Sequence, residues 1–325
     1  MKLATMKDGS RDGKLIVVSC DLTQAASAHS ITNTMQAAFD NWETIAPQLQ
    51  TLADDLNKGN LQDTFPFDPK AVAAPLPRAY QWCDGSAFLN HGTLMEKAFN
   101  TPPMPDFETI PLMYQGGSDD FLGACDDVPF VSEENGIDFE GEYGVIVDDV
   151  PMGCTPEEVA SHIKLIVQIN DWSLRGFGPR EMKTGFGFFQ AKPSSSFAPV
   201  AVTPDEMGAA WCDGRVKLPL NVQWNGAWFG HPNGREMNFS FYELIAHAAR
   251  TRRLRAGTII GSGTVSNADR SAGSACISER RVIEMLDEGA SKTGFMRFGN
   301  TVQMEVFGAD GKSVFGAINQ RVVKL

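Results

Sequence analysis

The run Ile137-Asp138-Phe139-Glu140-Gly141-Glu142-Tyr143-Gly144-Val145-Ile146-Val147 sets three acids two residues apart inside an otherwise apolar, strand-like segment. In a β-strand, residues i, i+2 and i+4 point to one face, so Asp138, Glu140 and Glu142 are expected to project together. Carboxylates roughly 4 Å apart repel by about 4 kcal/mol per pair at an effective dielectric near 20. Packed acids therefore take up protons or hold a cation, whereas an acidic face turned to water needs neither. The segment alone leaves both readings open.

The rest of the composition narrows the classes. The chain has 325 residues, 42% hydrophobic and 21% charged, enough for a substantial core in one large or two unequal domains. A formal charge of −12 disfavours nucleic acid and anionic membrane surfaces as partners, because both draw on clustered Lys and Arg. The opening Met1-Lys2-Leu3-Ala4 has no apolar h-region behind it, and no stretch approaches the ~20 apolar residues of a membrane span, so a soluble cytoplasmic protein is expected. Six cysteines (Cys20, Cys83, Cys125, Cys154, Cys212, Cys276) show no C-x-x-C spacing and read as reduced packing residues.

Along the chain, residues 1–77 are expected to form a small N-terminal domain and residues 78–325 a catalytic one, with Ala74-Pro75-Leu76-Pro77 at the boundary. The first part reads as a strand at Lys14 to Ser19 and a helix from about Thr34 to Leu56. The second is mainly β within an α+β class. Its strand-like runs are Phe139 to Val147, Val216 to Trp224, Thr258 to Ser262, Thr301 to Phe307 and Ser313 to Val322. The start signal Thr155-Pro156-Glu157-Glu158 predicts a helix to about Ile169 that delivers Asn170-Asp171-Trp172-Ser173 into a loop. A second helix is predicted from about Ser240 to Arg252.

Several polar residues occupy positions where a plain core prefers apolar ones: Asp84, with His91 seven residues on, Asp171, Lys192 in Phe188-Phe189-Gln190-Ala191-Lys192-Pro193, and Glu279 beyond Ser262-Gly263-Thr264-Val265-Ser266. With the Asp138-Phe139-Glu140-Gly141-Glu142 alternation and Asn170-Asp171-Trp172-Ser173-Leu174-Arg175, these anchors span about 200 residues. In that order they resemble the fumarylacetoacetate hydrolase family. The resemblance implies a mixed β-roll catalytic domain, paired as a homodimer, behind a small β-barrel-like N-terminal domain. It implies Asp84, Glu140, Glu142 and Asp171 as metal carboxylates, with Asp138 a flanking acid. Such an all-oxygen set suits Mg²⁺, Ca²⁺ or Mn²⁺ and disfavours zinc. Lys192 and Ser196 fall where the family has a lysine and a hydroxyl near the metal.

The activity implied is hydrolysis of a carbon–carbon bond in a 1,3-diketo acid such as fumarylacetoacetate or an acylpyruvate, in the breakdown of aromatic amino acids or other aromatic compounds. His91 is then the general base on water, oriented by Glu279, a role typically worth on the order of 10²- to 10⁴-fold. Lys192 and Arg175 become donors to the oxyanion, and Thr264 and Tyr114 contact the substrate.

The residues that grip the far carboxylate in the fumarylacetoacetase branch fall at Ser86, Asn100, Gly178 and Met182, none with the family's side chain. Arg180 or Lys183 are candidates to replace them, and Ser86 stays a substrate-side position. Two rivals remain: a decarboxylase, hydratase or isomerase of a 2-keto acid on the same metal, and a non-catalytic binding protein stabilised by metal.

Overall fold

The computed structural model describes residues 1–99, 102 and 105–325. Eleven strands form one mixed sheet. From one edge its order is Phe65–Pro66, Gln24–Ser27, Lys14–Val18, Lys2–Met6, Ala201–Val202, Ile163–Asn170, Gly141–Val147, Thr258–Gly261, Trp82–Gly85 and Met113–Gly116, with Ser196–Phe197 paired beside Ile163–Asn170. A second sheet of five runs Ala227–Gly230, Leu220–Trp224, Thr301–Val306, Ile318–Lys324 and Val128–Phe130.

Among the described residues no sheet closes into a barrel, which corrects the barrel implied for the N-terminal part. Its four strands form an open antiparallel arm, and Lys2–Met6 continues it into the large sheet through Lys2↔Val202 and Leu3↔Ala201. The helix read over 34–56 is present as Met35–Asp40, capped by Thr34, followed by Trp42–Lys58. The strands Lys2–Met6 and Gln24–Ser27 were not anticipated.

A further correction concerns 155–169. The helix is one turn, Pro156–Val159, with Glu158 accepting from the Thr155 amide at 2.9 Å as the start signal requires. After the 3₁₀ turn Ala160–His162 the chain becomes the strand Ile163–Asn170. That strand has neighbours on both sides and is buried almost throughout, so its apolar run shows no period of two and mimics a buried helix. The β-branched Ile163, Ile166, Val167 and Ile169 decide in favour of the strand.

Pairing register sets the site. Gly141–Val147 runs antiparallel to both Ile163–Asn170 and Thr258–Gly261, and the latter runs parallel to Trp82–Gly85. The pairs Asn170↔Gly141, Gly261↔Gly144, Gly261↔Asp84 and Asp84↔Tyr114 bring the ends of three strands and the beginnings of two others to one end of the sheet. Apolar layers cover both faces: Tyr143, Val145 and Val147 enter one cluster, Ile146 with Leu165, Val167 and Ile169 the other. By alternation Glu142 lies on the Ile146 face.

Gly263, just past the strand Thr258–Gly261, has φ +74°, and a Cβ there would lie 2.4 Å from the Gly85 carbonyl oxygen. Gly263→Ala is expected to cost about 1–3 kcal/mol from the left-handed backbone alone, and more from that approach. The urea midpoint measures it; an unchanged midpoint contradicts the packing described.

Candidate metal and catalytic site

Three carboxyls meet at the sheet end. Asp84, Glu142 and Asp171 each offer an oxygen, and these atoms lie within 4.8 Å of one another. All three side chains are buried. Asp84 Oδ1 accepts from the Gly263 amide at 3.0 Å. Asp171 Oδ1 accepts from Ser195 Oγ at 2.6 Å, and its Oδ2 accepts from Tyr114 Oη at 2.6 Å and Lys192 Nζ at 2.5 Å. Both oxygens of Glu142 are buried without a hydrogen-bond partner.

The neighbouring acids are neutralised by cations. Lys192 Nζ also donates to Glu140 Oε2 at 2.6 Å, and Arg175 Nη2 sits 2.5 Å from Glu140 Oε1. Arg175 Nε donates to Asp138 Oδ2 at 2.8 Å, and the same carboxylate accepts from the Ile277 and Ser278 amides at 2.7 and 2.9 Å. Asp138 therefore holds the first turn of the helix Ile277–Glu288, favoured there by the positive helix end. That helix carries Glu279, whose Oε2 is 3.0 Å from His91 Nδ1 across 188 residues of sequence. His91 sits in the first turn of Leu89–Phe99.

Five carboxyls, Asp84, Asp138, Glu140, Glu142 and Asp171, thus share two cations, Lys192 and Arg175. Burial, with the charges of Asp171 and Glu140 added, pushes Asp84 up to about 8. Burial and the charge of Asp84 raise Glu142 well above the usual carboxylate range. Glu140 goes the other way: burial would raise it, but Lys192 and Arg175 hold it low. Lys192 and Arg175 stay charged because Asp171, Glu140 and Asp138 outweigh their burial. Burial and the Asp171 carboxylate keep Tyr114 protonated, as its donated hydrogen bond requires.

The residues present fit a divalent cation. Two orphaned oxygens on Glu142, next to two further carboxylates in an all-oxygen setting, suit Mg²⁺, Ca²⁺ or Mn²⁺ better than zinc. Without a cation the cluster must keep protons.

Of the remaining expected residues, Thr264 is buried with its hydroxyl unpartnered. Ser86 is half-buried next to this strand end, and its amide donates to the Leu112 carbonyl. Arg180 and Lys183 are exposed. Asn100 lies outside the described residues. The hydroxyl that reaches Asp171 belongs to Ser195, while Ser196 accepts from the Trp172 indole at 2.9 Å. Ser196 was the hydroxyl expected near the metal; its neighbour Ser195 holds that place instead. Cys276, close to His91 and Glu279, carried no spacing signal.

Comparison with known proteins gives family matches over most of the chain. Residues 81–323 match the family described as fumarylacetoacetate (FAA) hydrolase C-terminal, and residues 1–78 match fumarylacetoacetase N-terminal domain 2. A 2,4-didehydro-3-deoxy-L-rhamnonate hydrolase of Sphingomonas sp. (strain SKA58) is 27% identical over 165 residues, 50% of this chain and 54% of that protein. An oxaloacetate tautomerase of Bacillus subtilis (strain 168) is 24% identical over 195 residues, 59% of this chain and 61% of its own. The chain thus matches little more than half the length of these curated relatives. Among solved structures, maleylpyruvate hydrolase from Sphingobium sp. SYK-6 in complex with manganese(II) and pyruvate has a TM-score of 0.67 at 14% identity, covering 100% of this chain and 99% of that one.

The acid cluster makes two predictions. Asp84 and Glu142, with folded pKa values above their unfolded ones, keep protons that the unfolded chain has released above about pH 4. Stability of the metal-free protein should therefore fall as pH rises from about 4 towards 8, where Asp84 titrates. A divalent ion competes with those protons, so the rise in Tm on adding Mn²⁺ should be larger at about pH 8 than at about pH 5.5. An equal or smaller rise at the higher pH contradicts the cluster. Glu142→Gln should fold, as judged by circular dichroism, yet lose most of the Mn²⁺-induced rise; a rise of wild-type size argues against Glu142 as a ligand.

Proposed function

The chain belongs to the fumarylacetoacetate hydrolase family, and on that premise we propose that it is a divalent-metal-dependent hydrolase of a carbon–carbon bond in a 1,3-diketo acid, such as fumarylacetoacetate or an acylpyruvate. The observation that carries this reading is the His91–Glu279 pair, linked through Asp138, Arg175 and Glu140 to the buried acid cluster.

In this reading Glu279 accepts from Nδ1 of His91 and leaves Nε2 to take a proton from water. The carboxylate also stabilises the imidazolium that results, and later proton return from the same ring completes the leaving group. Lys192 spends two N–H donors on Glu140 and Asp171 and keeps one for the oxyanion of the attacked carbonyl, with Arg175 beside it. Asp84, Glu142 and Asp171, with Glu140 as the proposed fourth carboxylate, would hold the divalent ion, which when bound would supply positive charge where a keto-acid oxygen gains negative charge. Thr264, with its unpartnered hydroxyl, hydrogen-bonds a substrate carboxylate. Tyr114 steadies Asp171 and, with Ser86, lines the substrate side. The assignment extends to a cytoplasmic homodimer with a small N-terminal domain over residues 1–77; no helix among the described residues is long and apolar enough to cross a membrane.

The reading is tested by incubating the protein with Mn²⁺ and acylpyruvates, fumarylacetoacetate or oxaloacetate. Two acid products from a diketo acid are expected, abolished by EDTA, and His91→Ala should lower kcat/KM at least about 100-fold. CO₂ release or tautomerisation without cleavage favours the 2-keto acid alternative, and full activity in His91→Ala removes the proposed base.

A further inference from the structure

Beside the acid cluster lies a second group of different chemistry. One ring nitrogen of His91, Sγ of Cys276 and one carboxylate oxygen of Glu279 lie within 4.8 Å of one another. Cys276 caps the helix Ile277–Glu288, its sulfur accepting from the Glu279 amide at 3.3 Å, so cap geometry presents thiol and carboxylate together. A backbone bridge between Glu140 and Cys276 joins this group to the acidic run 138–142. Glu279 is 1% exposed and its Oε1 has no hydrogen-bond partner, an orphaned acceptor that hydrogen bonding within the group does not satisfy. His91, 12% exposed, gives access from outside.

We propose that His91, Cys276 and Glu279 form a second metal site, selective for zinc or a similarly soft divalent ion, whose filling takes His91 out of catalysis. A nitrogen, sulfur and oxygen donor set suits zinc, which accepts three protein ligands and leaves a fourth position open. Mg²⁺ and Ca²⁺ prefer the all-oxygen cluster nearby. The chain thus sorts two kinds of cation into adjacent pockets, and binding at the softer one releases the thiol proton. The inhibitory consequence rests on the proposed role of His91; the binding itself does not.

Cobalt(II) reports the site without any assay of turnover. With the oxygen cluster saturated by Mg²⁺, added Co²⁺ should give a near-ultraviolet thiolate-to-cobalt band that Zn²⁺ displaces. Cys276→Ser keeps a favoured N-cap and should retain the Mn²⁺-induced rise in Tm, which shows that it folds. It should lose the cobalt band and bind Zn²⁺ more weakly by calorimetry, by at least the roughly 10- to 100-fold that even outer partners of a metal are worth. Cys20→Ser, at an exposed cysteine, should leave the band unchanged. No band in the wild type, or a band that survives in Cys276→Ser, overturns the proposal. If the protein shows the band but cleaves no diketo acid, the functional reading fails and the zinc site stands.

Discussion

A carboxylate buried with neither oxygen hydrogen-bonded is the constraint on which the rest of this structure turns. Glu142 occupies that position, fully covered and facing Asp84 and Asp171. Isolated charge in such a place is strongly unfavourable, so the group must be protonated or matched by a cation. Strand register leaves it no escape. Gly144, two residues on, lets the adjoining strand pack close, since a Cβ there would lie 2.5 Å from Ile169 Cδ1 and that side chain would have to shift.

The charges around Glu142 are organised as a chain rather than a cloud. Asp171 bonds Lys192, Lys192 bonds Glu140, Glu140 faces Arg175, Arg175 bonds Asp138, and Asp138 seats the helix that carries Glu279. Removing one link leaves a buried charge unpaired, which is costlier than the loss of one contact. The same chain joins two functions that are far apart in sequence: a place for a cation and a place for a base. Its members come from strand ends, a loop and a helix start, so only the folded sheet brings them together.

Much of this was legible before the fold. The alternation at 138–142 marked out the acids, but the single strand expected there is two, Ile137–Asp138 and Gly141–Val147, in different sheets with Phe139 and Glu140 between them. Asp84, Asp171 and Lys192 stood out as polar residues in apolar surroundings. His91 and Glu279 came as a pair only through family resemblance, because no local pattern links residues 188 positions apart. What failed has physical causes. The strand Ile163–Asn170 is buried on both faces and so carries no periodicity, and a start signal just before it was genuine but served a single turn. Ser195 and Ser196 are adjacent, and only the folded chain shows that the first meets Asp171 and the second Trp172. Asp138 looked like a spare acid because two of its partners are backbone amides and the third, Arg175, is 37 residues away in sequence. Cys276 was silent for a related reason: a lone cysteine gains meaning only from what folds against it.

The central claim, that buried acids converge to hold a divalent ion, is tested most directly by the anomalous difference map of a crystal soaked in Mn²⁺. The account predicts one strong peak within about 2.0–2.6 Å of oxygens from Asp84, Glu142 and Asp171. A peak elsewhere, or none while Glu142 keeps its unpartnered place, would contradict it.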